Sequence, residues 1–187
     1  VIALGIDPGT RFLGWGVVRR SGNRLTHIAH GVIRAGTKEA LATRLCIIER
    51  ELSSVIEEHK PEVGSVESLF FHKDAQAAAK LGHARGVVLL CLEREGVKIF
   101  EHAPARVKRT LTGNGQAEKR QVAQMVKAVL GVEENMASDA SDALALAITQ
   151  LRLDPRTLAL GAPKSGRRKA LPPHVQAAID RAKLARG

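Results

Sequence analysis

The stretch Val1-Ile2-Ala3-Leu4-Gly5-Ile6-Asp7-Pro8-Gly9-Thr10 decides the fold. An uncharged apolar run ends in an aspartate, and Pro8-Gly9 closes it as a turn. That is the pattern of a buried β-strand that carries a carboxylate at its C-terminal end. The run has no basic leader and no cleavage site, so it does not read as a signal peptide. No segment of the 187 residues approaches the ~18 apolar residues that a membrane span needs.

Working outward, Leu13–Val18 and His27–Ile33 read as two further strands, with Ser21-Gly22-Asn23 as a hairpin signal between them. Lys38–His59 reads as a helix, since Leu41, Leu45, Ile48, Leu52 and Val55 recur at helical spacing and Pro61 stops the run. Val63–Val66 is a short strand ending in Glu67. Asp74–Glu95 is a long helix rich in small residues, and Val97–Phe100 a fifth strand. Ala105–Leu111 and Ala117–Leu130 are helices split by the Gly113-Asn114-Gly115 turn, and Asp139–Leu151 is the last. Three meandering strands followed by alternating α and β predict an α/β protein: a mixed five-stranded sheet flanked by helices on both faces. After Leu153, prolines and glycines punctuate a basic stretch. Residues 1–153 are therefore expected to form the domain, and 154–187 a basic C-terminal appendage. Cys46 and Cys91 fall in helix-like apolar stretches and are expected as buried, reduced thiols.

Charge gives the first functional hint. The chain holds 29 Lys and Arg against 19 Asp and Glu, a formal net charge of +10, which suits a polyanionic partner. The excess is concentrated in the tail and in residues 104–127, where Arg106, Lys108, Arg109, Lys119, Arg120 and Lys127 face only Glu118. With one Trp, four Phe and no Tyr, an aromatic platform for single strands is not expected. Phosphate contact and shape are the expected modes.

Acids at element ends carry the chemistry. Asp7 ends the first strand and Glu67 the fourth. Asp139 and Asp142, three apart, open one face of the last helix. Singly, each has an ordinary explanation as a turn residue, a strand-end acid or a first-turn helix acid. Jointly they would repel one another at the strand ends, where open α/β sheets build their sites, unless cations sat between them. Oxygen ligands without a His or Cys cluster favour Mg²⁺ or Mn²⁺ over zinc. Two such ions can activate a water and stabilise the leaving oxygen of a phosphodiester.

These residues carry a resemblance. GIDPGTRFLGWGVV, VESLFF, KLGHARG, the GNGQAEKRQV segment and SDASDALALAI are similar, in order and spacing over about Ile2 to Gln150, to the RuvC family of bacterial Holliday junction resolvases. The resemblance implies a ribonuclease H-like fold and a homodimer. It also implies a Mg²⁺-dependent endonuclease that nicks opposite strands of a four-way DNA junction and leaves 5′-phosphate ends. Asp7, Glu67, Asp139 and Asp142 fall on the family's metal-binding acids, and Phe70 on the aromatic that stacks at the junction centre. Lys108 and Lys119 fall on basic residues near the scissile strand. The branch-migration proteins RuvA and RuvB are expected as partners, and the bacterial cytoplasm or nucleoid as the location. The small-residue helix Asp74–Glu95 is the expected dimer interface.

Three other readings compete, one of them a non-catalytic junction-binding module, which would explain the basic residues but not four positioned acids. A ribonuclease H-like nuclease acting on RNA–DNA hybrid or RNA would use the same four acids. Asp7-x-Gly9-Thr10 followed by Gly14 also resembles a phosphate loop of the sugar-kinase and actin ATPases. That class needs two copies of the domain, and no second such loop is found.

Overall fold

A computed structural model describes residues 1–68 and 75–153, the side chains of 75–77 excepted. Phe70, Phe71 and the 154–187 segment lie outside the described residues. Five strands, β1 (Ile2–Asp7), β2 (Phe12–Ser21), β3 (Arg24–Arg34), β4 (Val63–Glu67) and β5 (Lys98–His102), form one sheet in the order β3-β2-β1-β4-β5. β1 pairs antiparallel with β2 and parallel with β4, and β4 pairs parallel with β5. The apolar opening strand is thus central, with a neighbour on each edge.

Alternation along β1 sorts the core into two layers. Leu4 and Ile6 face α1 (Leu41–His59) and α2 (Ala75–Arg94), where Ile48, Leu52, Ile56, Val88 and Leu92 are buried against them. Ala3 belongs to the opposite layer with α3 (Pro104–Thr112), α4 (Lys119–Leu130) and α5 (Ser138–Arg152). Helices therefore cover both faces, as the sequence pattern predicts. α5 lies deepest, buried from Ala143 through Leu151 without a break. Its small side chains meet glycines in the sheet: a Cβ added at Gly5 would land on the Ala143 carbonyl, and one at Gly14 on the Asp139 carbonyl. Close approach of helix to sheet is what glycine supplies at these two positions.

Several expected boundaries shift for physical reasons. β2 and β3 extend through polar residues to a two-residue loop, Gly22-Asn23, because a hairpin continues to pair where its side chains are solvated. α1 begins at Leu41 rather than Lys38, because Leu41 is the first member of its apolar series and Ala40 is still extended. α4 begins at Lys119 rather than Ala117. β5 spans Lys98–His102 rather than Val97–Phe100; His102, a polar residue, is buried there and its Nε2 lies 2.8 Å from Gln150 Oε1 of α5. The expectation of two buried thiols is corrected: Cys91 is buried, but Cys46 is exposed, since it precedes Ile48 by two residues and so projects from the other side of α1. Among the described residues no helix is long and apolar enough to cross a membrane.

Candidate active site

The carboxylates gather because of strand register. Asp7 lies opposite Gly14 at the end of β1, and Glu67 follows Val66, the parallel partner of Ile6. Both side chains thus leave neighbouring strands at the same end of the sheet. The first turns of α5 arrive there from above, because Asp139 packs on Gly14. A cleft of about 390 Å³ opens at this point, lined by Asp7, Glu67 and Asp142, by Lys108 and Lys119, and by an apolar wall that includes Val107, Val122 and Leu146. Asp139 does not line the cleft. Its charge nonetheless reaches Asp7 and Lys119, so it stands close by.

The electrostatics record the crowding. Burial pushes the Asp7 carboxyl up to about 7, and the charges of Asp142, Glu67 and Asp139 push in the same direction, against Lys119. Lys119 supplies the local countercharge: its Nζ lies 2.6 Å from Asp142 Oδ2. That hydrogen bond, with the nearby acids, raises the Lys119 pKa, so the ammonium stays charged. Its position is set locally. Gly113, at φ 79°, ends α3, the Asn114 side chain accepts from the Gln116 N–H, and the Gln121 side chain accepts from the Glu118 N–H at the start of α4. Among the described residues no three Asp, Glu, His or Cys side chains are grouped closely enough to hold a metal ion as they stand. The donor set is nonetheless that of a hard cation, with three carboxylates lining one cleft and a protonated amine holding one of them.

One supporting residue was not singled out in the sequence. Arg85 of α2 is only 6% exposed. Its Nη1 donates to the Glu67 carbonyl oxygen at 2.5 Å, and its Nη2 lies 2.7 Å from Glu101 Oε1. It ties the end of β4 to β5. A lone arginine among the small residues of KLGHARG was the available signal. Arg85→Met should keep the apolar stem but lose both bonds. Hydrogen bonds to charged groups contribute about 1.5–3 kcal/mol, so thermal denaturation should show a melting temperature lower by several degrees; an unchanged value would mean that the clamp is not structural.

A mixed β3-β2-β1-β4-β5 sheet with helices on both faces and acids at the ends of its two central parallel strands defines a ribonuclease H-like protein. The family model described as crossover junction endodeoxyribonuclease RuvC matches residues 3–150, and the chain belongs to that RuvC family. A curated RuvC from Sorangium cellulosum (strain So ce56) is 59% identical over 148 residues, covering 79% of this chain and 83% of that protein. The RuvC of Bradyrhizobium diazoefficiens is 45% identical over 146 residues, covering 78% and 83%. Among solved structures, T. thermophilus RuvC in complex with a Holliday junction substrate aligns with a TM-score of 0.76 at 35% identity, over 80% of this chain and 92% of that one. The yeast mitochondrial resolvase Ydc2 shares the fold, with a TM-score of 0.58 at 13% identity over 80% of this chain and 77% of that one.

Proposed function

We infer that the chain is a crossover junction endodeoxyribonuclease that resolves four-way DNA junctions by paired, metal-dependent nicks. The observation that carries this reading is the cleft itself, where three carboxylates and two lysines share one cavity on a RuvC-family fold. Asp7, Glu67, Asp139 and Asp142 would hold two Mg²⁺ ions, with Mn²⁺ able to substitute. When bound, the ions supply Lewis-acid activation of water and neutralise charge at the leaving oxygen. The chain's own part is preparation. Asp7 shares a proton with solvent near neutrality and must release it, and Lys119 must release Asp142, before both carboxylates can face a cation. Lys119 is then free to meet a phosphate oxygen as a point charge, with Lys108 beside it on the same wall. The products carry 5′-phosphate and 3′-hydroxyl ends.

A junction has approximate two-fold symmetry, and a C₂ homodimer presents two such clefts to equivalent strands. α2 offers a face for it: Ala79, His83, Gly86 and Leu90 are exposed along one stripe, with Leu90 54% accessible. Residues 1–153 carry the chemistry, and the basic 154–187 segment adds phosphate affinity; the family match ends at residue 150. Phe70 is the candidate for stacking at the junction centre. RuvA and RuvB are the partners proposed by kinship, in the bacterial cytoplasm at the nucleoid.

The reading is tested by offering the protein a four-way junction, a linear duplex and an RNA–DNA hybrid with Mg²⁺. Symmetric nicking of the junction alone is expected. Preferred cutting of the hybrid would overturn it in favour of a ribonuclease. Lys119→Ala separates chemistry from affinity. It should reduce single-turnover cleavage by on the order of tenfold or more while changing junction affinity by only a few-fold, since one phosphate contact of many is lost. Equal losses in both measurements would place Lys119 away from the scissile phosphate.

A further inference from the structure

Among the described residues, the large apolar side chains left exposed are Val1, Phe12 and Leu90. Val1 begins the chain and Leu90 belongs to the α2 stripe. Phe12, 43% exposed, has no such account. It opens β2 next to the acids. Leu13 points into the α1–α2 layer, so Phe12 and Gly14 share the opposite face. Gly14 is the residue against which Asp139 packs and the register partner of Asp7. Two residues along a strand and one strand across, Phe12 stands about 8 Å from Asp7 by strand geometry. Arg34 is its register partner on β3 and holds its guanidinium carbon 5.8 Å from the ring centroid. Arg34 and Arg11 are both exposed.

The segment that carries Phe12 is fastened. The Arg11 carbonyl accepts from the Ala35 N–H at 3.0 Å. The Thr10 carbonyl and hydroxyl accept from Arg44 Nη1 at 3.3 and 3.4 Å. An exposed ring on a fixed support, oriented by a guanidinium, is built to receive a flat apolar surface beside an anion. A nucleic acid strand offers both, a base face and a phosphate. The cleft lysines lie on the α3–α4 side of the acids, whereas Phe12 and Arg34 lie on the β2–β3 side. A strand threading the acids therefore meets positive charge on either flank.

We propose that Phe12 and Arg34 form a second DNA contact of the same site, with Phe12 stacking on a base and Arg34 holding the adjoining phosphate, close to the scissile bond. The contact positions the strand and takes no part in the chemistry. It rests on the junction-cutting reading above.

The test uses the full chain with Phe12→Ala, Phe12→Trp and Arg34→Gln, with junction affinity measured by anisotropy in EDTA over a range of salt. Phe12→Ala should weaken binding about tenfold, the size expected for one base–aromatic stack, and should melt as the wild type does. Phe12→Trp should restore affinity, which a purely structural role would not predict. Arg34→Gln should lower the slope of log affinity against log salt by about one. An affinity for Phe12→Ala within twofold of wild type, a Trp variant no better than Ala, or an unchanged slope for Arg34→Gln overturns the proposal. If the wild-type chain itself neither binds nor cuts a junction, the functional reading falls and takes this one with it. If the wild type binds and cuts while Phe12→Ala is indistinguishable from it, this inference alone falls.

Discussion

Asp7→Asn is expected to abolish junction cleavage and, in EDTA at pH 8, to raise the melting temperature. The two effects share one cause. Burial and three neighbouring carboxylates hold the Asp7 carboxyl at about 7, against 3.8 for an ordinary aspartate. With the folded-state value above the unfolded one, the folded protein binds the extra proton. Below about pH 4 both states are protonated and nothing is lost. As pH rises towards 7, stability falls, and above it the full penalty applies, up to about 4 kcal/mol for a shift of this size. Asparagine keeps the shape and carries no charge to desolvate. For a chain of this length, each kcal/mol moves the melting temperature by about 2–4 °C. Melting curves of both proteins in EDTA should therefore coincide near pH 4 and diverge as pH rises, the variant being higher. Mg²⁺ should raise the wild-type curve and leave the variant's nearly unmoved. A variant that melts at or below wild type at pH 8 would show that Asp7 is not strained by its neighbours, and one that still cuts would remove it from the site.

Gly14→Ala should be nearly as damaging to cleavage for a different reason. The added methyl would meet the Asp139 carbonyl and Cβ, and backbone cannot step aside by changing a rotamer. α5 would have to lift from the sheet at its N-terminal end. Overpacking of this kind destabilises by about 1–3 kcal/mol or more. Asp139 and Asp142 would move with the helix, and a displacement of about 1 Å can slow a reaction by on the order of a hundredfold. Single-turnover cleavage well below the melting transition separates this loss from unfolding. Full activity with unchanged melting would mean that α5 does not sit where the glycine allows it.

The sequence made the elements and their order legible wherever burial imposed a period. VIALGID, the Leu41–Val55 series and the apolar run of α5 each have one face or two to hide, and their spacing says so. Boundaries were less legible where polar residues continue a ladder, as at Arg19–Ser21 and Glu101–His102, because backbone pairing leaves no mark in side-chain hydropathy. The acids could be found because strand ends and helix starts are local features. Two things depend on distant partners and were not readable: the Lys119–Asp142 pair and the Arg85 clamp on β4 and β5. Phe12 falls just outside the strand that the sequence predicts, Leu13–Val18, and nothing local distinguishes an exposed ring from a buried one.

α5 is enclosed by the sheet on one side and by α3 and α4 on the other, and its residues from Ala143 to Leu151 are inaccessible. Backbone amides in such a segment exchange with solvent only when the whole domain opens, not by local fraying. Two of the four acids are carried at the N-terminal end of this element. Asp139 and Asp142 themselves stand in the half-buried first turn, just ahead of that protected stretch. As the protein is warmed, the body of α5 should keep its amides until the domain opens, and its first turn should be the part that loosens earlier.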